Sequence, residues 1–112
     1  MDGFTYVGNY KGKPVYSGSN ERIGRLLDRY GESGHRSNTI NYGAAFNGRI
    51  YVIDQLIDGA GDAGRADPLI SGKLKYVLDH ELAHIEGADE KGAHRHAEKT
   101  TGLTIARLGG FI

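Results

Sequence analysis

The chain has no cysteine and no tryptophan, and only one methionine and two prolines in 112 residues. Without cysteine, neither a disulfide framework nor a thiolate metal site can form, so any metal centre must be built from imidazole and carboxylate. An excess of charge is missing too: fourteen basic and fourteen acidic residues cancel, and the pI is about 7.0. That balance leaves no electrostatic footprint for nucleic acid or an anionic membrane surface. No apolar run approaches the roughly 20 residues that cross a bilayer, and the opening MDGFTYVGNY lacks the charged-then-apolar layout of a secretory signal. The expectation is a cytoplasmic protein with no membrane span and no nucleic-acid partner, folded as one domain over 1–112 with a modest core.

Glycine is plentiful: 18 residues, scattered without a repeat, punctuate short elements. In residues 4–16, Phe4, Tyr6, Val7, Tyr10, Val15 and Tyr16 favour strand, while Gly8, Gly12 and Pro14 interrupt them. A short hairpin with a broken second arm is predicted. Ser19 or Asn20 can cap a helix carrying Ile23, Leu26, Leu27 and Tyr30 on one face, with Gly31 as its stop. A polar loop follows over 32–38, and an extended segment over 39–46 runs into Asn47-Gly48, the strongest short hairpin signal. Residues 49–56, with Ile50 to Ile53 in succession, read as an inner strand beside an exposed edge. Residues 58–68 read as a surface loop without EF-hand spacing. The fold class expected is α+β: a small twisted sheet of three or four strands backed by the 20–30 helix and by a long helix starting near Pro68.

Chemistry is concentrated in 78–98, which holds four of the five histidines. His80-Glu81-Leu82-Ala83-His84 is an HExxH pattern. On a helix, residues four apart share a face, so His80 and His84 can bind one metal ion while Glu81 reaches a water beside it. Such a motif also arises by chance, but here Ile70, Leu74, Val77, Leu78, Leu82 and Ile85 recur at spacings of three and four and form an apolar stripe. The motif side chains fall largely on another face, free to point into a cleft. Gly87 can end this helix, and Asp89 can cap a second one running back antiparallel. Glu90 and His94, four apart, then look toward the ion. Glu90 is favoured as third ligand, with His94 orienting Glu90 or His80; His94 on the metal with Glu90 in support is the open alternative. His96 and Glu98 lie further round on a solvated face, and His35 sits in a polar loop.

Three stretches, GAAFNGRIYV at 43–52, YVLDHELAHI at 76–85 and EKGAHRHAE at 90–98, resemble gluzincin zinc metallopeptidases, most nearly minigluzincins and the soluble catalytic domains of CAAX-processing-type membrane metallopeptidases. The resemblance implies a minimal zincin-like domain with one Zn2+ ion, Glu81 as general base, and peptide or unfolded protein as substrate. It makes Ala44, Ala45 and Phe46 a substrate-binding edge strand. It also places Glu90 at the ligand position and His94 where these relatives carry an acid. The His84 to Glu90 spacing equals that of metzincins, but those need a methionine turn, and Met1 is the only methionine. Tyr42, Tyr51, His94 and His96 are candidates for stabilising an oxyanion. The resemblance further implies latency through the C-terminal tail, here Phe111-Ile112 after Gly109-Gly110, with self-association as a possible form of it. The function expected is a zinc endopeptidase; the alternative is a zinc-stabilised, catalytically weak binding or regulatory module.

Overall fold

The computed structural model describes residues 3–29, 41–61 and 68–102. Its elements run β1 (Thr5–Tyr10), β2 (Lys13–Gly18), α1 (Asn20–Arg29), β3 (Gly43–Phe46), β4 (Arg49–Ile53), α2 (Asp54–Gly61), α3 (Pro68–Ile85) and α4 (Glu90–Thr101). This is an α+β arrangement with a four-stranded mixed sheet in the order β1-β2-β4-β3. Two antiparallel hairpins, β1–β2 and β3–β4, are joined by a parallel pairing of β2 with β4. Parallel neighbours need a crossover, and the chain from β2 through α1 to the far edge strand β3 provides it.

Local chemistry explains most of these elements. Asn47 and Gly48 both adopt positive φ, 53° and 72°, as a type I′ hairpin turn requires. The first hairpin is irregular in its first arm, where the register shifts between Tyr6 and Gly8 and Gly8 takes φ 137°. The expected break in the second arm is absent. Pro14 is tolerated in β2 because the parallel ladder with β4 begins only at Val15, so no donor is needed there. Ser19 caps α1, its Oγ accepting from the Arg22 N–H at 3.2 Å, and Ile23, Leu26 and Leu27 are buried as the spacing predicts.

The predicted strand over 49–56 is shorter than expected. It stops at Ile53, and Asp54 opens α2, which extends through Gly61 into the predicted 58–68 loop. Apolar residues resume at Leu56 and Ile57 after only Asp54 and Gln55, so a brief polar break is all that marks the boundary, with an acid in the first turn of the helix as the local cue. The expectations for Tyr30, Gly31, His35, the loop over 32–38, the rest of the 58–68 loop and the tail at 109–112 fall outside the described residues.

The core joins Ile23, Leu26 and Leu27 of α1 to Ile50–Ile53 of β4 and to Tyr76, Val77 and Leu82 of α3. Register puts Gly43, Val52 and Ser17 in one cross-strand row. On that face α3 comes so close that a Cβ on Gly43 would lie 2.5 Å from Val77 Cγ1 and 3.0 Å from the Tyr51 carbonyl. Only glycine fits there. The other face carries a graded aromatic row, Tyr6, Tyr16 and Tyr51, with neighbouring ring centroids 5.7 Å apart in each pair. No helix among the described residues is long and apolar enough to cross a membrane.

Candidate metal centre

Tyr76, His80 and His84 are spaced four apart on α3, so they form one stripe along it. Glu90 and His94 form the matching stripe at the start of α4. The reversal between the helices is tight and fully bonded. Gly87 at φ 102° sends its N–H to the His84 carbonyl at 3.0 Å, and the Ala88 N–H reaches the Ala83 carbonyl at 2.9 Å, a Schellman closure. Asp89 then caps α4, accepting from the Gly92 N–H at 2.8 Å. With only residues 86–89 between them, the helices run back antiparallel and the two stripes meet.

Glu90 stands at the meeting point. Its Oε1 is 2.7 Å from His80 Nε2 and its Oε2 is 3.3 Å from His84 Nε2. His80, His84 and Glu90 each offer a ligand atom within 4.8 Å of the others, and this is the one group among the described residues that could hold a metal ion. The donors suit the zinc ion that the resemblance implies. Bonds of about 2.0–2.1 Å in a tetrahedron place neighbouring donors about 3.3 Å apart. The His84–Glu90 pair stands at 3.3 Å, whereas His80 and Glu90, in direct hydrogen bond at 2.7 Å, would have to separate slightly to admit an ion. The far ring nitrogens are committed as well: His84 Nδ1 lies 3.0 Å from the Ala88 carbonyl, and His80 Nδ1 lies 2.9 Å from Glu81 Oε1. A carbonyl only accepts, so His84 Nδ1 carries its proton and Nε2 is the atom able to ligate.

The expected separation of an apolar face from a cleft-facing polar one does not hold for α3. His80 and Glu81, at 0% and 3% exposure, are as buried as Val77, because the sheet covers one side of the helix and α4 another. The centre opens at its other end, where the Glu90 side chain is 49% exposed and His84 25%. Burial disfavours a charged His80, yet its hydrogen bonds to Glu81 and Glu90 prevail and push its pKa up to about 9. Burial would likewise raise Glu90, but hydrogen bonds from His80 and His84 hold it well below the usual carboxylate range. His84 is raised chiefly by its hydrogen bond to Glu90. His94 is lowered by burial and by the neighbouring His80.

His94 lies outside the three-residue group: its Nε2 is 3.0 Å from Glu90 Oε1 and its Nδ1 is 2.7 Å from the Tyr76 hydroxyl. Ala44, Ala45 and Phe46 lie on β3, which among the described strands pairs only with β4 and is therefore a sheet edge. A Cβ on Gly43 would lie 3.5 Å from Glu81 Cγ, so this edge begins beside the motif. Ala44 itself is buried, whereas Ala45 and Phe46 are half-buried. Of the oxyanion candidates, Tyr51 sits in the aromatic row and Tyr42 lies under Lys73 Nζ, 5.7 Å from its ring centroid. His96 is exposed and, with Ala83, Glu86, Ala88 and Gly92, lines a cavity of about 230 Å³ behind the turn.

Two residues escaped the sequence reading. Tyr76 is one turn before His80 on the same stripe, a signal available from spacing alone. Asp79 is fully buried and gathers the Tyr10 hydroxyl, Lys75 Nζ at 2.7 Å and Thr100 Oγ1 at 2.6 Å, tying β1 and α4 to the motif helix. Compared with models of protein families, with characterised proteins and with solved structures, the chain has no match.

Proposed function

We propose that the protein is a zinc-dependent endopeptidase acting on extended peptide, with His80, His84 and Glu90 holding the ion. The observation that carries this reading is the convergence of those three donors from two antiparallel helices. When bound, zinc supplies Lewis acidity, polarising the scissile carbonyl and making water a nucleophile at neutral pH. The peptide lies along the edge of β3 as an added strand, its backbone paired with residues 44–46 beside Glu81. Glu81, whose Oε1 orients His80, takes a proton from the attacking water on its other oxygen. The water oxygen bonds the carbonyl carbon, the C–N bond breaks, and Glu81 returns the proton to the leaving nitrogen. Loss of casein-type proteolysis in Glu81→Gln, with zinc stoichiometry kept at one, is the expected result; full activity in that variant overturns the mechanism.

One observation favours a second reading, a zinc-stabilised binding module. Glu81 Oε1 contacts the Nδ1 of His80 and the residue is 3% exposed, as a carboxylate orienting a structural ligand would be. Stoichiometric zinc with no turnover across a broad peptide library selects that reading.

A further inference from the structure

The proposed chemistry leaves one rung of the ladder between the helices without a role. Tyr76 is fully buried, its ring stacked against His80 with centroids 6.3 Å apart. Phenylalanine would fill the same space, so packing does not explain the hydroxyl. That hydroxyl lies 2.7 Å from His94 Nδ1, whose Nε2 lies 3.0 Å from Glu90 Oε1. An ionised carboxylate only accepts, so His94 Nε2 carries the proton and bare Nδ1 accepts from the Tyr76 O–H. The chain of donors therefore has one direction, from Tyr76 through His94 to Glu90.

The contacts of Glu90 with His80 and His84 are the ones a bound ion would replace, which leaves His94 as the contact able to hold it. Glu90 is the first residue of α4, and its side chain is 49% exposed. A long, half-exposed side chain otherwise samples several rotamers, and fixing it opposes metal binding. We infer that Tyr76 is a positioning residue for Glu90: through His94 it fixes the imidazole plane and tautomer that engage Oε1, leaving Oε2 turned toward His84. This rests on the reading of His80, His84 and Glu90 as the metal site.

The test is zinc affinity, measured by competition with a chromophoric chelator on the full chain after stripping. It compares wild type, Tyr76→Phe, His94→Ala, the Tyr76→Phe/His94→Ala double variant and His94→Gln. Tyr76→Phe and His94→Ala are each expected to weaken zinc binding about 10–100-fold, the range for residues that orient ligands. The double variant should lose no more than His94→Ala alone, because the hydroxyl acts only through His94. His94→Gln, whose amide can accept from Tyr76 and donate to Glu90, should recover most of the loss. A general packing role would instead lower the melting temperature of the stripped protein and give additive losses without rescue. Unchanged affinity in Tyr76→Phe, additive losses, or His94→Gln as weak as His94→Ala overturns the inference. Should Tyr76→Phe fail to fold, the comparison of His94→Gln with His94→Ala decides alone. A wild-type protein that takes up no zinc removes the metal-site reading itself and the inference with it, a result distinct from an unchanged ratio among variants.

Discussion

Replacing Asp79 by alanine removes the carboxylate that ties the hairpin and α4 to the motif helix. The group is wholly buried, with Oδ1 accepting from the Tyr10 hydroxyl and Oδ2 from Lys75 at 2.7 Å and Thr100 at 2.6 Å. Lys11 Nζ stands 3.7 Å away and is 56% exposed, and Lys75 is 49% exposed, so both ammonium groups rehydrate when their partner is lost. Thr100 is exposed and keeps the Ala97 carbonyl as acceptor at 3.2 Å, so the uncompensated cost falls mainly on the hydroxyl of half-buried Tyr10. Hydrogen bonds to a charged group contribute about 1.5–3 kcal/mol each, and with the ammonium groups and Thr100 largely compensated the loss is about 3 kcal/mol. Unfolding entropy of about 2.1 cal/mol/K per residue, over 112 residues, converts this to a melting temperature about 13 °C lower.

Thermal melts of stripped wild type, Asp79→Ala and Asp79→Asn measure it, with asparagine falling between because its amide keeps one acceptor. The pH dependence has a fixed sign. Burial alone would raise the Asp79 pKa, but hydrogen bonds from Lys75, Thr100 and Tyr10 lower it below its ordinary value. Its stabilisation is therefore complete above the unfolded value of about 3.9 and is lost as pH falls through the lower folded value. The gap between wild type and Asp79→Asn should close on acidification through that window. An alanine variant melting alongside wild type, or a gap that persists in acid, refutes the reasoning.

Four further outcomes are expected. Glu90→Gln, which removes the charge shared by His80 and His84, should lose stoichiometric zinc in a dialysis measurement and fall below any variant that only orients a ligand. Zinc uptake at pH 7 should release close to one proton from His80, whose pKa in the stripped protein is pushed up to about 9; calorimetry in buffers of different ionisation enthalpy reads the number. The same raised value means that the His80 stabilisation is full below its unfolded pKa of about 6.5 and is lost as pH climbs through about 9, so the stripped protein should melt lower in alkali. Gly43→Ala, which would force a Cβ to 2.5 Å from Val77 Cγ1, should cost about 1–3 kcal/mol in a denaturant titration.

Local periodicity and capping chemistry made much of this molecule legible from its letters. The Asn47-Gly48 turn, the Ser19 and Asp89 caps, the Gly87 stop and the three-four spacing of α1 depend on neighbours within a turn or two, so the sequence contains their causes. Spacing likewise put His80 and His84 on one helix face, and Glu90 just beyond a short reversal. The α2 boundary at Asp54 was hidden, because only Asp54 and Gln55 separate the apolar residues of the strand from Leu56 and Ile57 of the helix, a break too short to end a strand by pattern alone. Strand order was hidden as well, since the parallel β2–β4 pairing joins segments more than thirty residues apart.

Only the tertiary structure decided what surrounds the motif. Burial of Asp79, His80 and Glu81 together follows from α3 being enclosed by the sheet and α4, which no helical-wheel reading of α3 contains. The sequence by itself determined which side chains could ligate an ion. Their convergence on Glu90, with Tyr76 and His94 behind it, was decided by the distance between two helices, a quantity set by packing and absent from either helix alone.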